Sequence, residues 1–185
     1  MFEVRVLRED GYEEAAYGFS LSYNTTIEKA KSLLERYAFG VPGENKFLET
    51  MSVTLDINAP RFWWQEYATY RVGITTQSES TMHTLMKREL TQEDFFIPLR
   101  ERTLHELNSE IRNYKNRLDK TVALVELKNL LPEGFMQRRI SKVSYKSFAG
   151  MYHQRKSHRS WIWRDFLDGV LSNISHPEFI RKEEK

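Results

Sequence analysis

Residues 47–57 constrain this chain more than any other stretch, because their alternation is one that a strand uses and a helix does not. Phe47, Glu49, Met51, Val53, Leu55 and Ile57 fall on one side, and Leu48, Thr50, Ser52, Thr54 and Asp56 on the other. Successive strand side chains point to opposite faces, so one face is apolar apart from Glu49 and the other mostly polar. Glu49 then marks a pocket, since a carboxylate is seldom buried without a partner or a ligand.

The flanking segments fill in an architecture. Phe2, Val4 and Val6 alternate with Glu3, Arg5 and Leu7, a strand over 2–7, and the Ala- and aromatic-rich residues 12–23 read as a helix. Thr25 with Glu28 has capping-box spacing and opens a helix with Ile27, Ala30, Leu33 and Leu34 on one face, stopped by residues 40–43 with Val41-Pro42. Asn58-Ala59-Pro60 offers an N-cap and a first-turn proline to a helix over 61–71. Its Phe62, Trp63, Trp64, Tyr67 and Tyr70 are too many aromatics for a solvated surface. They read as core or subunit interface, with base or flavin stacking as the other use.

Residues 72–86, rich in Thr, Ser and Gln, break period and read as a loop. Leu104, Leu107, Ile111, Tyr114 and Leu118 make a helical stripe, and Pro132 ends a second helix over 121–131. Residues 135–143 form a strand made basic by Arg138-Arg139, residues 144–156 and 159–171 are helices, and 180–185 fray. The sum is α+β: one domain over 1–175, with a small mixed or antiparallel sheet packed against helices, then a charged tail at 176–185.

Composition narrows the function. Of 185 residues 40% are hydrophobic and 13% aromatic, which argues against disorder. Twenty-eight Lys and Arg against 26 Asp and Glu give a net charge of +2, which argues against a polycation wrapped on nucleic acid. No run approaches the ~18 apolar residues of a membrane span, and the charged N-terminus does not read as a secretion signal. With no cysteine there is no disulfide, thiolate metal site or Cys nucleophile, and the expected location is the cytoplasm.

Generic catalytic motifs are missing: no GxGxxG, no P-loop, no nucleophile elbow and no HExxH. His153 and His158 sit beside Arg155 and Arg159, whose charges would repel a metal ion, so no metal is expected. Three features stand out together. Gly43-Glu44-Asn45-Lys46-Phe47-Leu48-Glu49 leads into the strong strand. Arg71 opens Thr75-Thr76-Gln77-Ser78-Glu79-Ser80, whose hydroxyls, amide and carboxylate could grip a sugar, a pyrimidine edge or a phosphate. Arg155-Lys156-Ser157-His158-Arg159 closes a helix with cations suited to an anion. A rival use of Arg138, Arg139, Lys142, Arg155 and Arg159, nucleic-acid binding, predicts affinity that collapses with salt.

In order and spacing these features resemble the flavin-dependent thymidylate synthase family (ThyX), over roughly residues 2–170. That family carries G-H-x-S/T-x-x-E-H, a strand, a helix and R-H-R-x-x-S-x-N-E-x-S-x-R-Y. Gly43 takes the first glycine, Glu49 the glutamate and Arg71 the last arginine of the triplet; Leu131-Pro132 matches a downstream Leu-Pro. Arg155 falls at a nucleotide-binding arginine and Lys128 at a phosphate-binding position. The departures are Thr69-Tyr70 for Arg-His, Ile74, Thr76-Gln77 and Glu79 inside the motif, Thr81-Met82 for Arg-Tyr, Glu44 and Lys46 in the first segment, Glu66 for a glutamine, and Ser144 and Gly150 for two asparagines.

The resemblance implies transfer of a methyl or hydroxymethyl group to C5 of a pyrimidine nucleotide, dUMP or a relative, with FAD and methylenetetrahydrofolate. It implies nucleotide contacts from Glu66, Gln77, Glu79, Ser80, Lys128 and Arg155, and a flavin site at Glu49, Tyr70 and Arg71. It further implies a homotetramer, with the aromatic helix at the interface. The alternative is a non-catalytic relative that binds a nucleotide or a partner without flavin.

Overall fold

The computed structural model describes residues 1–40 and 43–182. In chain order the elements are β1 (Glu3–Asp10), α1 (Tyr12–Ser22), α2 (Ile27–Ala38), α3 (Phe47–Thr50), β2 (Ser52–Pro60), α4 (Arg61–Tyr67) and β3 (Ile74–Ser78). Then come α5 (Thr81–Thr84), α6 (Glu101–Asn113), α7 (Lys120–Leu130), β4 (Met136–Ser144), α8 (Tyr145–Arg155) and α9 (Trp161–Leu171). The strands form one antiparallel sheet in the order β1-β2-β4-β3, so β1 and β3 are its edges. This is the α+β class that the sequence implies.

The strong alternating segment is real but displaced. Residues Phe47–Thr50 make a helical turn, with Glu49 N–H donating to the Lys46 carbonyl at 2.8 Å, and the strand starts at Ser52. Strand β2 is interior to the sheet, and Ser52 and Asp56 on its polar side are buried along with its apolar side. Asp56 answers its burial by accepting from Arg5 at 3.1 Å. The strand continues through Asn58, Ala59 and Pro60, which therefore cap nothing, and α4 ends at Tyr67 rather than at 71.

Contacts divide the chain into two compact units. The first comprises Met1–Glu3, Asn58–Tyr67 and Gln77–Arg139. Its core joins Leu107 and Ile111 of α6 and Leu124 and Leu127 of α7 to Leu85, Leu90 and Phe95. Buried Asn108 clips Leu90 to α6 with two bonds, accepting its N–H at 2.7 Å and donating to its carbonyl at 2.9 Å. Trp63, Trp64 and Tyr67 of α4 are buried core side chains, while Phe62 is half-buried. Helix α6 stops at Asn113 and Leu118 is fully exposed, so the predicted stripe loses its last member.

The second unit comprises Val4–Ile57, Ala68–Thr76 and Ile140–Lys185. Its core is Ala30 and Leu34 of α2, Val53 and Leu55 of β2, Phe148 of α8, and Trp163 and Phe166 of α9. Helix α2 is capped by Thr26, whose hydroxyl accepts from Lys29 N–H, because Thr25 N–H is already committed to the Ser20 carbonyl. The cap is thus Thr26 rather than Thr25, and with Lys29 at the third helical position the expected capping box does not form. Val41 and Pro42, read as the stop after α2, lie outside the described residues. Gly11 has φ 91°, and a Cβ there would stand 2.3 Å from the Thr50 carbonyl oxygen. Phe179 and Ile180 are buried, so Ile180 does not belong to a fraying end.

Residues 72–86 are not one loop. They hold β3, whose approach is fixed by Ser144 N–H donating to the Gly73 carbonyl at 2.8 Å, and the single turn α5. The strand escaped notice because it is an exposed edge carrying Thr, Gln and Ser, with no apolar face to give it a period.

Candidate functional site

Tyr70 and Arg155 meet in the second unit. Arg155 Nε donates to the Tyr70 hydroxyl at 2.9 Å, and that hydroxyl donates to Gln154 Oε1 at 3.0 Å. The guanidinium carbon lies 4.7 Å from the Trp163 ring centroid and 5.7 Å from that of Tyr70. A planar cation held against two aromatic rings is fixed in orientation, as recognition of a planar or tetrahedral oxyanion requires. The turn of chain after Arg155 joins the cluster: His158 N–H donates to the Arg155 carbonyl at 2.9 Å, and the imidazole lies edge-on to Trp163.

Arg71 follows Tyr70 and is exposed. Beyond it, Gly73 takes φ 67°, and a Cβ there would stand 2.5 Å from Ser144 Oγ and 2.6 Å from Ser147 Oγ. That tight turn leads into exposed Thr75 and Thr76. Glu49 is not on a strand face and is not buried. It lies on α3 with its side chain 62% exposed, 3.7 Å from Lys146 Nζ. The same ammonium donates to Asn45 Oδ1 at 2.5 Å, so Glu49 faces the start of α8.

The first unit holds the other predicted residues. A cavity of about 160 Å³ is lined there by Asn58, Glu79, Thr84, Arg88, Glu93 and Asp94, among others. Arg88 is gripped bidentately by Asp94, at 2.7 and 2.5 Å. That hydrogen bond, with the nearby Glu79 charge, raises the Arg88 guanidinium above its ordinary value. For Asp94, burial pushes the carboxyl up, but the Arg88 bond with the Thr91 amide and hydroxyl bring it out below the usual carboxylate value. With its cation neutralised by Asp94, the cavity wall carries excess carboxylate from Glu79 and Glu93. It suits hydroxyl or amide donors better than phosphate.

Only Glu79 of the predicted nucleotide set lines this cavity. Gln77 is exposed on β3; Ser80 precedes α5, its carbonyl accepting from Thr84 N–H and Oγ. Glu66 lies on α4, and Lys128 is half-buried in the last turn of α7. Sequence reasoning missed Arg88, Asp94 and Asn58. The capping box from Thr91 to Asp94 was legible by spacing, whereas the Arg88–Asp94 pair spans a non-helical turn and leaves no periodic trace. Among the described residues no group of three His, Asp or Glu side chains is placed to hold a metal.

With this geometry in hand, the sequence profile of the family described as thymidylate synthase complementing protein matches residues 5–175. The chain belongs to that family. No curated protein matches it. Among solved structures, the chain is similar to thymidylate synthase X (ThyX) from Helicobacter pylori with FAD and dUMP. The TM-score is 0.74 at 15% identity, covering 98% of each chain. A second Helicobacter pylori structure, of flavin-dependent thymidylate synthase ThyX complexed with FAD and dUMP, gives 0.73 at 15% identity, over 97% of this chain and 98% of that one. At such identity the likeness establishes the fold of this family member, and its residues speak for themselves.

Proposed function

We propose that this protein is a flavin-dependent thymidylate synthase-like transferase, binding FAD and a pyrimidine nucleotide and moving a one-carbon unit from methylenetetrahydrofolate to C5. The observation that carries the reading is the family match through residues 5–175, a span that includes every candidate residue. The shared fold with two proteins solved with FAD and dUMP supports it. When bound, the flavin supplies the carbon relay and the hydride; the protein supplies orientation and charge.

The donor set fits these groups in kind. Arg71, exposed beside the Gly73 turn and the hydroxyls of Thr75 and Thr76, is the cation for a cofactor phosphate. Arg155, aligned by Tyr70 and Trp163 in the second unit, is a cation for the nucleotide anion, and Lys128 is a basic side chain of the first unit available to an anion. Gln77, Ser80 and Glu66 offer amide, hydroxyl and carboxylate to the sugar and base, and Glu79 favours a donor such as a hydroxyl or an exocyclic amine. Thr69 and Thr81 stand where the family has arginines. Each lost charge-assisted contact weakens phosphate binding by ~1.5–3 kcal/mol, about 10- to 150-fold. FAD therefore binds more weakly than to a complete signature, and a homo-oligomer supplies further donors across subunits.

A second reading, a nucleotide binder without flavin, is favoured by one observation: Tyr70 and Arg155 engage each other. Purified protein is titrated with FAD by flavin fluorescence, then assayed for tritium release from [5-³H]dUMP and [5-³H]dCMP with methylenetetrahydrofolate and a reductant. Quenching with tritium release is the expected result. Nucleotide binding with no FAD affinity at tens of micromolar establishes the second reading instead.

A further inference from the structure

Arg139 sits in the first unit with a support that the proposed reaction does not use. Its Nε and Nη2 both donate to Gln137 Oε1, at 3.3 and 2.7 Å. Gln137 is itself pinned at both ends: its Nε2 donates to the Glu79 carbonyl at 3.1 Å, and its own carbonyl accepts from Trp64 Nε1 at 2.8 Å. The Arg139 guanidinium lies 4.4 Å from the centroid of the Trp64 ring, which is itself buried. One edge of the fork is therefore spent on a neutral amide, and the flat face on an indole. Arg139 is half-buried and makes no salt bridge among the described residues. Burial pulls its guanidinium below the ordinary value, with no carboxylate to offset it.

The strand register shows what faces this cation. Glu79 N–H donates to the Arg138 carbonyl at 2.9 Å, which sets residues 79 and 138 opposite each other in the antiparallel pair. Ser78 is then opposite Arg139, and Ser80 opposite Gln137. Directly opposed side chains share a face, so Ser78, Ser80, Gln137 and Arg139 lie together on the Trp64 side, while Gln77, Glu79 and Arg138 lie on the reverse. Ser78 is exposed and Ser80 half-exposed, so the β3 side of this face is open to solvent.

We infer that Arg139 is a preorganised anchor for a phosphoryl group, on the face of the sheet opposite Gln77 and Glu79. The terminal Nη1–Nη2 edge presents two parallel donors, and the Ser78 hydroxyl a third, matching the three oxygens of a phosphomonoester. Holding a desolvated guanidinium without an acid partner is costly unless an oxyanion completes it. The site stands apart from the flavin reading and survives or fails without it.

The test follows the Arg139 Nε–H resonance in ¹⁵N-labelled full-length protein, assigned by its loss in R139K. Inorganic phosphate, dUMP and deoxyuridine are titrated at constant ionic strength, with sodium chloride as the control. The expected result is a saturating shift with phosphate and dUMP at millimolar levels or below, and none with deoxyuridine or chloride. S78A weakens the phosphate response of this resonance about three- to tenfold, and R139Q reduces the phosphate-dependent rise in melting temperature, of which Arg155 keeps its own share. A resonance that phosphate leaves in place, or that chloride moves equally, overturns the inference. So does a phosphate-dependent melting shift in R139Q equal to that of the wild type. Should R139Q fold poorly, the wild-type titration decides alone, and no flavin or folate enters any arm.

Discussion

Replacing Tyr70 with phenylalanine removes one oxygen atom from the centre of the Arg155 cluster. The hydroxyl accepts from Arg155 Nε and donates to Gln154, while the ring keeps its edge contact with Trp163 at 6.0 Å and its place under the guanidinium. A hydrogen bond to a charged group is worth ~1.5–3 kcal/mol when buried, and this half-exposed one falls below that range, at about 1 kcal/mol. For a chain of this length that is a fall of roughly 2–4 °C in melting temperature. The guanidinium, losing its alignment but not its charge, should hold a nucleotide monophosphate about three- to tenfold less tightly. Urea unfolding and calorimetric titration with dUMP read the two quantities separately. Tyr70→Ala, which also loses the ring contacts, adds ~0.5–1.5 kcal/mol of destabilisation. If Y70F matches wild type in both stability and nucleotide affinity, Tyr70 does not position Arg155. If its affinity for dUMP rises, Tyr70 was holding Arg155 away from the ligand, and the binder reading must be recast.

Three further outcomes test the scaffold. Asn108→Ala strands the Leu90 N–H and carbonyl in a buried place and should cost ~2–5 kcal/mol, seen as a lowered urea midpoint at unchanged slope. Because Asp94 titrates below its unfolded value, its contribution is present above the unfolded pKa of about 3.9 and is lost as pH falls through the lower folded value. Acid unfolding of D94N should accordingly start from a lower stability at neutral pH and show a shallower loss below pH 4. Gly11→Ala meets both a left-handed backbone and the Thr50 carbonyl, and should lower stability by more than ~2 kcal/mol or abolish soluble expression, whereas Gly18→Ala, with open space around it, should not.

What the sequence showed and hid follows from burial. Helices α6 and α9 announced themselves because each presents an apolar stripe to one side, whereas α7, with Val122, Val125 and Leu130 exposed, was marked by Pro132 at its end. The segment before β2 misled because alternation continued through Phe47–Thr50, where buried Phe47 and Leu48 are adjacent, as a helical turn allows and a one-sided strand does not. That error carried Glu49 into an imagined pocket, although it reaches water and Lys146. Tyr70 and Arg155 each stand out in the sequence, while their hydrogen bond spans 85 positions and no local pattern encodes it. The Arg88–Asp94 fork and the Asn108 clip went unseen for the same reason: polar networks leave no hydrophobic period.

The edge strand β3 carries one further consequence. Hydroxyl-bearing Thr76, Ser78 and Ser80 alternate with Gln77 and Glu79 along it and just past its end, so two chemistries are interleaved on a single ribbon paired with β4. Deleting one residue at the Gly73 bend would exchange the faces wholesale, presenting the carboxylate where a serine had been, without altering composition. Descendants of such a ribbon can trade ligand preference by parity alone, a change that position-by-position substitution would need several steps to reach.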